Sequence, residues 1–368
     1  MLYNQFDDLY YLGCHGKAHR FLSVHRQTKV RVVIDKWNHR GGVDDETRDI
    51  ISAETNYRRV LLTVSTFQRT LHVERRQDWT WIFSEPTETT DLIEFVDGTA
   101  QDLAIVRQIS FLCVTTATDL YTKGIAIRDW SPKNLKVSGV MIRFTNFNAL
   151  TTSAPISNEK RVAWIGDTHW MAPEMLYESS YTHYTASVWS IGLYIYLMAT
   201  GEYLFEGQNI YEATRKYHFK APHGMNPKLA SLLEKMLVVN PAERIPMNEI
   251  LRHEFFIPTP PFPVVRFIHE IDEDTTEWLY HLGLKKQEDL DNLSSFRIDE
   301  TSLILYLAET AVNKDHTYQR YKEENEDPTL EDILISFSIF PQTKDFAFTY
   351  QKKLEGPKGK IERPKTRA

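Results

Sequence analysis

Ile127-Arg128-Asp129-Trp130-Ser131-Pro132-Lys133-Asn134 holds two side chains of catalytic type, Asp129 and Asn134, and is followed by Asn146-Phe147-Asn148 and then by Ala172-Pro173-Glu174. Around it, apolar residues run long and at helical spacing from Ala104 to Tyr121 and again from Ser187 to Met198. Ahead of it lie short strand-like runs, Phe21-Leu22-Ser23-Val24 and Val30-Arg31-Val32-Val33-Ile34, separated by turn-forming residues. Between Asp45 and Leu62, Ile50, Ile51, Tyr57 and Leu61 recur at helical spacing, with Glu54 on their face. The pattern predicts an α+β chain in which a small sheet precedes a large helical region.

The 368 residues are 42% hydrophobic and 25% charged, enough to bury a sizeable core. A formal net charge of -7 argues against nucleic acid or a membrane surface as partner of the whole chain. Only Cys14 and Cys113 are present, without metal-ligand spacing, which suits a reducing, cytoplasmic compartment. The start, Met1-Leu2-Tyr3-Asn4 with Asp7 and Asp8 close behind, does not read as a signal peptide. The longest apolar stretch, around Val188 to Ala199, is too short to span a bilayer and reads as a core helix.

The order and spacing of the three quoted stretches resemble the protein kinase signatures: a His-Arg-Asp catalytic loop, a metal-binding Asp-Phe-Gly, and an Ala-Pro-Glu closing the activation segment. The resemblance covers residues 10–256 and implies a two-lobed kinase fold, with a β-rich N-lobe and a helical C-lobe. Gly201-Glu202-Tyr203-Leu204-Phe205-Glu206-Gly207 and Asn240-Pro241-Ala242-Glu243-Arg244 are most similar to the calcium/calmodulin and AMP-activated serine/threonine group. Residues 257–263, rich in proline, read as a linker. Residues 264–316 are expected to form a small helical bundle. There, Leu279-Tyr280-His281-Leu282-Gly283-Leu284 resembles the ubiquitin-associated type that follows the kinase domain in the AMP-activated group. Residues 351–368 read as a basic, disordered tail.

Set on the family pattern, the chain keeps scaffold and loses charge. In the glycine-rich loop, Gly13-Cys14-His15-Gly16-Lys17-Ala18, Gly13 holds its place, while His15 and Ala18 stand where the second and third glycines belong; Gly16 is the other glycine of the stretch. Arg20 stands where an apolar residue covers the nucleotide base. Asp35 takes the place of the phosphate-binding lysine, and Lys36 beside it points to the opposite face, where it reads as a solvated surface residue. Glu54 matches the C-helix glutamate. Facing Asp35 it would make a repelling pair, so either the helix swings out or a cation such as Lys36 or Arg58 intervenes; Asp35→Lys is expected to relieve the repulsion.

Asp129 keeps the catalytic base position and Asn134 a metal-ligand position, but Ser131 replaces the lysine that supports the transferred phosphate. Ile127 replaces the histidine and fits a hydrophobic column with Phe147. Asn146 replaces the metal-binding aspartate, so Asn134 and Asn146 offer magnesium neutral carbonyls and no anion. Ser187 replaces the aspartate that braces the catalytic loop, and Asp167 the threonine that contacts the base. Glu174 and Arg244 match the ion pair tying the activation segment to the lower lobe, while Trp189 and Gly192 match the core helix. The resemblance thus implies a pseudokinase: a scaffold or allosteric partner of a kinase or regulatory subunit, with ATP the ligand the family's cleft would take and the binding of both ATP and magnesium impaired here. The competing reading is an active, atypical serine/threonine kinase in which Lys36 or Lys17 takes the phosphates.

Overall fold

The computed structural model describes residues 2–258 apart from 16–17, 40–44, 62–63, 88–89, 153–166, 178–180 and 206–208, together with 260, 275, 276, 279, 281, 282 and 302–312. The expected α+β order is what the structure has. Strands β1 (Phe6–His15), β2 (Ala18–His25), β3 (Arg31–Asn38), β4 (Thr70–Arg75) and β5 (Trp79–Ser84) form one antiparallel sheet in the order β1-β2-β3-β5-β4. Helix α1 (Asp45–Val60) connects β3 to β4.

The two faces of this sheet carry different chemistry because side chains alternate along β3. Trp37 and Ile82 face α1 and pack with Ala18 and Ile51. Val32 and Ile34 face the other way, with Phe6, Leu71, Trp81 and Phe83. That outer face is covered from far along the chain by the helix Ser302–Val312, whose Leu303, Tyr306, Leu307 and Ala311 join the same cluster. Their spacing is a helical stripe, and the neighbouring stripe, Leu305 and Ala308, packs on Leu279. Of the expected bundle, these residues are described; Tyr280, Gly283, Leu284 and the tail 351–368 lie outside the described residues.

The helical region is built on α3 (Leu103–Thr122) and α5 (His183–Thr200), joined by α2 (Leu92–Val96), α4 (Pro173–Tyr177), α6 (Ile210–Arg215), α7 (Pro227–Met236) and α8 (Met247–Ile250). Helix α5 is buried almost all round, and Gly192 lies where a Cβ would meet Leu237 Cδ2 at 2.9 Å, so a side chain there would push α5 off its neighbour. The longest apolar helix is α3 rather than the run at 188–199. Its 20 residues have the length and composition of a membrane span, but 61% of its most apolar window is buried, with Val106, Ile109, Leu112 and Leu120 in the lobe's core. Between the sheet and this core, the short pairs β6 (Ile125–Ile127) with β9 (Leu150–Thr152) and β7 (Leu135–Ser138) with β8 (Met141–Phe144) hold the loop 128–134 and the turn 146–149 side by side.

Candidate functional site

Asp35 sits in the middle of β3, buried on the face toward α1, with β2 and β5 on either side. The β2–β3 register sets Arg20 directly opposite it. The guanidinium grips the carboxylate with both arms, Nε to Oδ1 at 2.7 Å and Nη2 to Oδ2 at 2.8 Å. Burial alone would pull the Arg20 pKa down; Asp35, through charge and hydrogen bond, and the charge of Glu54 outweigh this and leave it raised. Glu54 is buried on α1, and Arg58, one turn on, donates to its Oε1 from Nε at 2.9 Å and from Nη2 at 2.6 Å. Arg58 also reaches Asp35 Oδ2 at 3.3 Å, Thr70 Oγ1 at 2.8 Å and Ser84 Oγ at 3.3 Å, and lies over the Phe147 ring at 4.0 Å.

The expected repulsion between Asp35 and Glu54 is therefore not what the structure contains. Two arginines alternate with the two carboxylates in a buried four-member cluster with no net formal charge, and Asp35→Lys would strand Arg20 and leave Glu54 as the one anion facing three cations rather than relieve anything. Of the two outcomes foreseen for the helix, intervention by Arg58 is the one observed. Sequence reasoning missed the Arg20–Asp35 pair. The signal was available: the two residues stand opposite each other in consecutive strands, with opposite charges.

Lys36 does point to the opposite face, but it is not solvated. Only 11% of its side chain is exposed. Its ammonium donates to Tyr3 Oη and Asp8 Oδ2 and lies over the rings of Tyr3 and Phe21 at 4.4 and 4.1 Å. The N-terminal turn Leu2–Gln5 brings Tyr3 there, stacked on Trp81 at 5.3 Å, so a lysine that pattern alone assigns to water is held beneath it. In the glycine-loop stretch, Gly13 adopts φ 108°, the left-handed region open to glycine, while Gly16 and Lys17 lie outside the described residues.

The loop carrying Asp129 is held by the helical lobe beneath it. Trp130 Nε1 donates to Ser187 Oγ at 2.8 Å, and Tyr194 Oη donates to the Trp130 carbonyl, so Ser187 braces the loop through an indole rather than through a carboxylate. Tyr194 was not singled out from the sequence. Arg128 donates to the Asn148 carbonyl from Nε at 3.2 Å and Nη2 at 2.7 Å. Ile127 and Phe147 share the apolar core, where Phe147 also meets Phe67 with ring centroids 5.5 Å apart.

Asp129 is buried and both its oxygens are engaged. Oδ1 accepts from the Ser131 amide at 2.9 Å and from the Ser131 hydroxyl, and Oδ2 accepts from Asn134 Nδ2 at 2.9 Å. Asn146 Nδ2 in turn donates to Asn134 Oδ1 at 3.0 Å, while Asn146 Oδ1 accepts from the Asn148 amide at 3.0 Å. The direction of this chain is fixed from its ends, since an ionised carboxylate only accepts and a backbone N–H only donates; neither carboxamide can flip without breaking a bond. Ser131 Oγ also accepts from the Asp167 amide at 3.1 Å, and Asp167 caps its own turn through His169. These donors do not fit a magnesium ion. The carbonyl of Asn134 is turned to Asn146, that of Asn146 to a backbone amide, and no carboxylate stands beside them at position 146.

The scaffold pair is intact. Glu174 and Arg244 are 0% and 1% exposed and join by two parallel bonds, Nη1 to Oε1 at 2.7 Å and Nη2 to Oε2 at 3.0 Å. Arg244 spends its remaining donors on the carbonyls of Thr185 and Val238, tying α4, α5 and the loop after α7 together.

A two-lobed fold with this loop, this turn and this ion pair is that of the protein kinases, and residues 11–256 match the protein kinase domain family. The chain belongs to the protein kinase superfamily. It is 24% identical over 310 residues to serine/threonine-protein kinase SIK1 of Rattus norvegicus, an alignment covering 78% of this chain and 38% of that protein. Serine/threonine-protein kinase SIK2 of Gallus gallus is 23% identical over 310 residues, 78% of this chain and 37% of its own. CBL-interacting protein kinase 20 of Oryza sativa subsp. japonica is 30% identical over 146 residues, covering 37% and 31%. The chain thus spans less than two fifths of the length of each of these relatives.

Proposed function

We propose that this chain is a pseudokinase, a cytoplasmic signalling scaffold or allosteric partner that works by binding another protein, a kinase or a regulatory subunit, rather than nucleic acid or membrane. The observation that carries this reading is Asp35: the position from which kinases reach the nucleotide phosphates with a lysine holds a carboxylate already engaged by Arg20 and Arg58. The amide chain from Asn148 through Asn146 and Asn134 to Asp129 supports it, because it uses the oxygens that a metal would need. A single preorganised charge is often worth about 3 kcal/mol, roughly 100-fold in rate, so losing both lysine and metal carboxylate removes most of what phosphoryl transfer requires.

The test has two arms. Radiolabelled transfer from ATP to generic serine/threonine substrates should give no signal above an Asp129→Asn control. Melting with ATP should show no magnesium-dependent rise, although a ligand at 100 times its Kd would add about 2.7 kcal/mol. The retained Asp129 and Asn134 favour the rival reading, an active atypical kinase using ATP. Transfer that is lost in Asp129→Asn would establish that reading and end ours.

A further inference from the structure

The β1–β2 hairpin has lost the glycines of a phosphate loop and gathered other chemistry on the sheet face opposite Asp35. Cys14 and His19 are direct cross-strand partners. Tyr11 is three residues from Cys14, an odd spacing that in a regular strand would put them on opposite faces. The register shift between Tyr11 and Gly13 inserts Leu12 as an extra residue, which returns Tyr11 to the face of Cys14. Three donor atoms then converge. Tyr11 Oη lies 3.0 Å from Cys14 Sγ and 3.3 Å from His19 Nδ1, and Sγ lies 3.7 Å from Nδ1. All three residues are exposed, so the triangle is open to solvent.

We propose that Tyr11, Cys14 and His19 form a binding site for a borderline-soft divalent transition metal ion, with zinc as the type ion. Zinc bonds sulfur at about 2.3 Å and imidazole nitrogen at about 2.0–2.1 Å, so two such ligands at the tetrahedral angle stand about 3.6 Å apart, close to the separation found between Sγ and Nδ1. On binding, Cys14 and Tyr11 release the thiol and phenol protons to solvent and ligate through Sγ and Oη, and His19 ligates as neutral imidazole through Nδ1, leaving a fourth position for water. Before the metal arrives, the same phenol and thiol are hydrogen-bonded to each other. Lys36, opposite His19 in the β2–β3 register, already has its charge offset by Asp8. The set is not one of cysteine, histidine and carboxylate alone; among the described residues no such trio converges.

Cobalt(II) is the probe, because a tetrahedral cobalt–thiolate site absorbs in the near ultraviolet through sulfur-to-metal charge transfer and in the visible through ligand-field bands. The full chain titrated with cobalt should develop both, and added zinc should bleach them. Cys14→Ser should abolish the charge-transfer band. His19→Ala should weaken binding by at least the roughly 10–100-fold that loss of a mere outer-shell partner costs, and Tyr11→Phe by less. All three sites are exposed, so melting temperatures should stay near that of the parent chain and any loss can be read as lost ligation. Absence of the band in the parent chain, its survival in Cys14→Ser, or equal affinity in the parent and His19→Ala would each overturn the site.

Discussion

Two buried ion clusters, one in each lobe, have fared differently. In the helical lobe Glu174 and Arg244 keep the family's residues and make a bidentate pair whose spare donors go to backbone carbonyls. In the β-rich lobe the family's lysine–glutamate pair has become a chain of four, Arg20, Asp35, Arg58 and Glu54, in which the strand contributes the acid and the helix contributes a base as well. The first ties backbone segments together and has no ligand to serve. The second occupies the place of a ligand's counter-charge, and by satisfying that place internally it fastens α1 to the sheet. Scaffold demand fixes residue identity in one lobe; in the other it fixes only that charges balance.

The sharpest way to break this comparison is Asp35→Lys. A lysine there would face Arg20 and Arg58 with no anion but Glu54, and stranding buried charge typically costs 3–5 kcal/mol, so we expect a loss of about that size in chemical denaturation. A gain in stability would mean that the cluster does not exist. Glu174→Gln leaves Arg244 with a neutral partner in an equally buried place, and we expect about 3 kcal/mol of loss there. Should Glu174→Gln cost nothing while Asp35→Lys costs its full amount, the two clusters would have to exchange roles in the argument above.

Acid should probe both lobes at once. Burial pushes the pKa of His183, at the start of α5, down to about 4, with help from the Arg128 charge, and that of His25, at the end of β2, down to about 4, with help from Lys29. His25 is held neutral by geometry, its Nδ1 accepting from the Thr28 amide at 3.2 Å. Each folded value lies below the unfolded one near 6.5, so as pH falls from about 6.5 to about 4 the unfolded chain binds protons that the folded chain refuses. Stability is full above that window and declines through it, by up to about 1.4 kcal/mol per pH unit for each histidine. Melting temperature against pH should show this slope, and His183→Gln should flatten it. An unchanged slope in His183→Gln and His25→Gln alike would assign the acid sensitivity elsewhere.

Much of the fold was legible because it is written in local spacing. The catalytic-loop stretch, the Asn-Phe-Asn turn and Ala172-Pro173-Glu174 lie in one order at fixed distances, and the helical runs before and after them have a period of their own. The site was legible position by position but not pair by pair. Arg20 and Asp35 were each placed in a family position, and only the hairpin register reveals that they neutralise one another. Lys36 shows the limit of alternation rules, which give the face of a strand but not what covers it; Tyr3 and the helix Ser302–Val312 reach that face across distances no periodicity encodes. The apolar helix α3 lesson is similar, since composition cannot distinguish a lobe's central helix from a membrane span until its neighbours are known.

The smallest expected effect tests the amide chain itself. Asn146→Asp restores the family's metal carboxylate, yet in this structure it also removes the Nδ2–H that Asn134 Oδ1 accepts at 3.0 Å and sets a carboxylate oxygen against that carbonyl. Asn134 cannot answer by flipping, because its Nδ2 would then leave Asp129 Oδ2. Losing one such bond and leaving an acceptor unsatisfied costs about 1–3 kcal/mol, reduced here because Asn146 is only partly buried. We therefore expect Asn146→Asp to lower stability by about 1 kcal/mol without magnesium. Millimolar magnesium should recover part of that loss, since the new carboxylate supplies the anion a magnesium ion requires and binding to the folded state stabilises it. The parent chain should show no such response. If magnesium stabilises the parent chain and Asn146→Asp to the same extent, the metal binds elsewhere, and the residue at position 146 does not decide magnesium binding in this cleft.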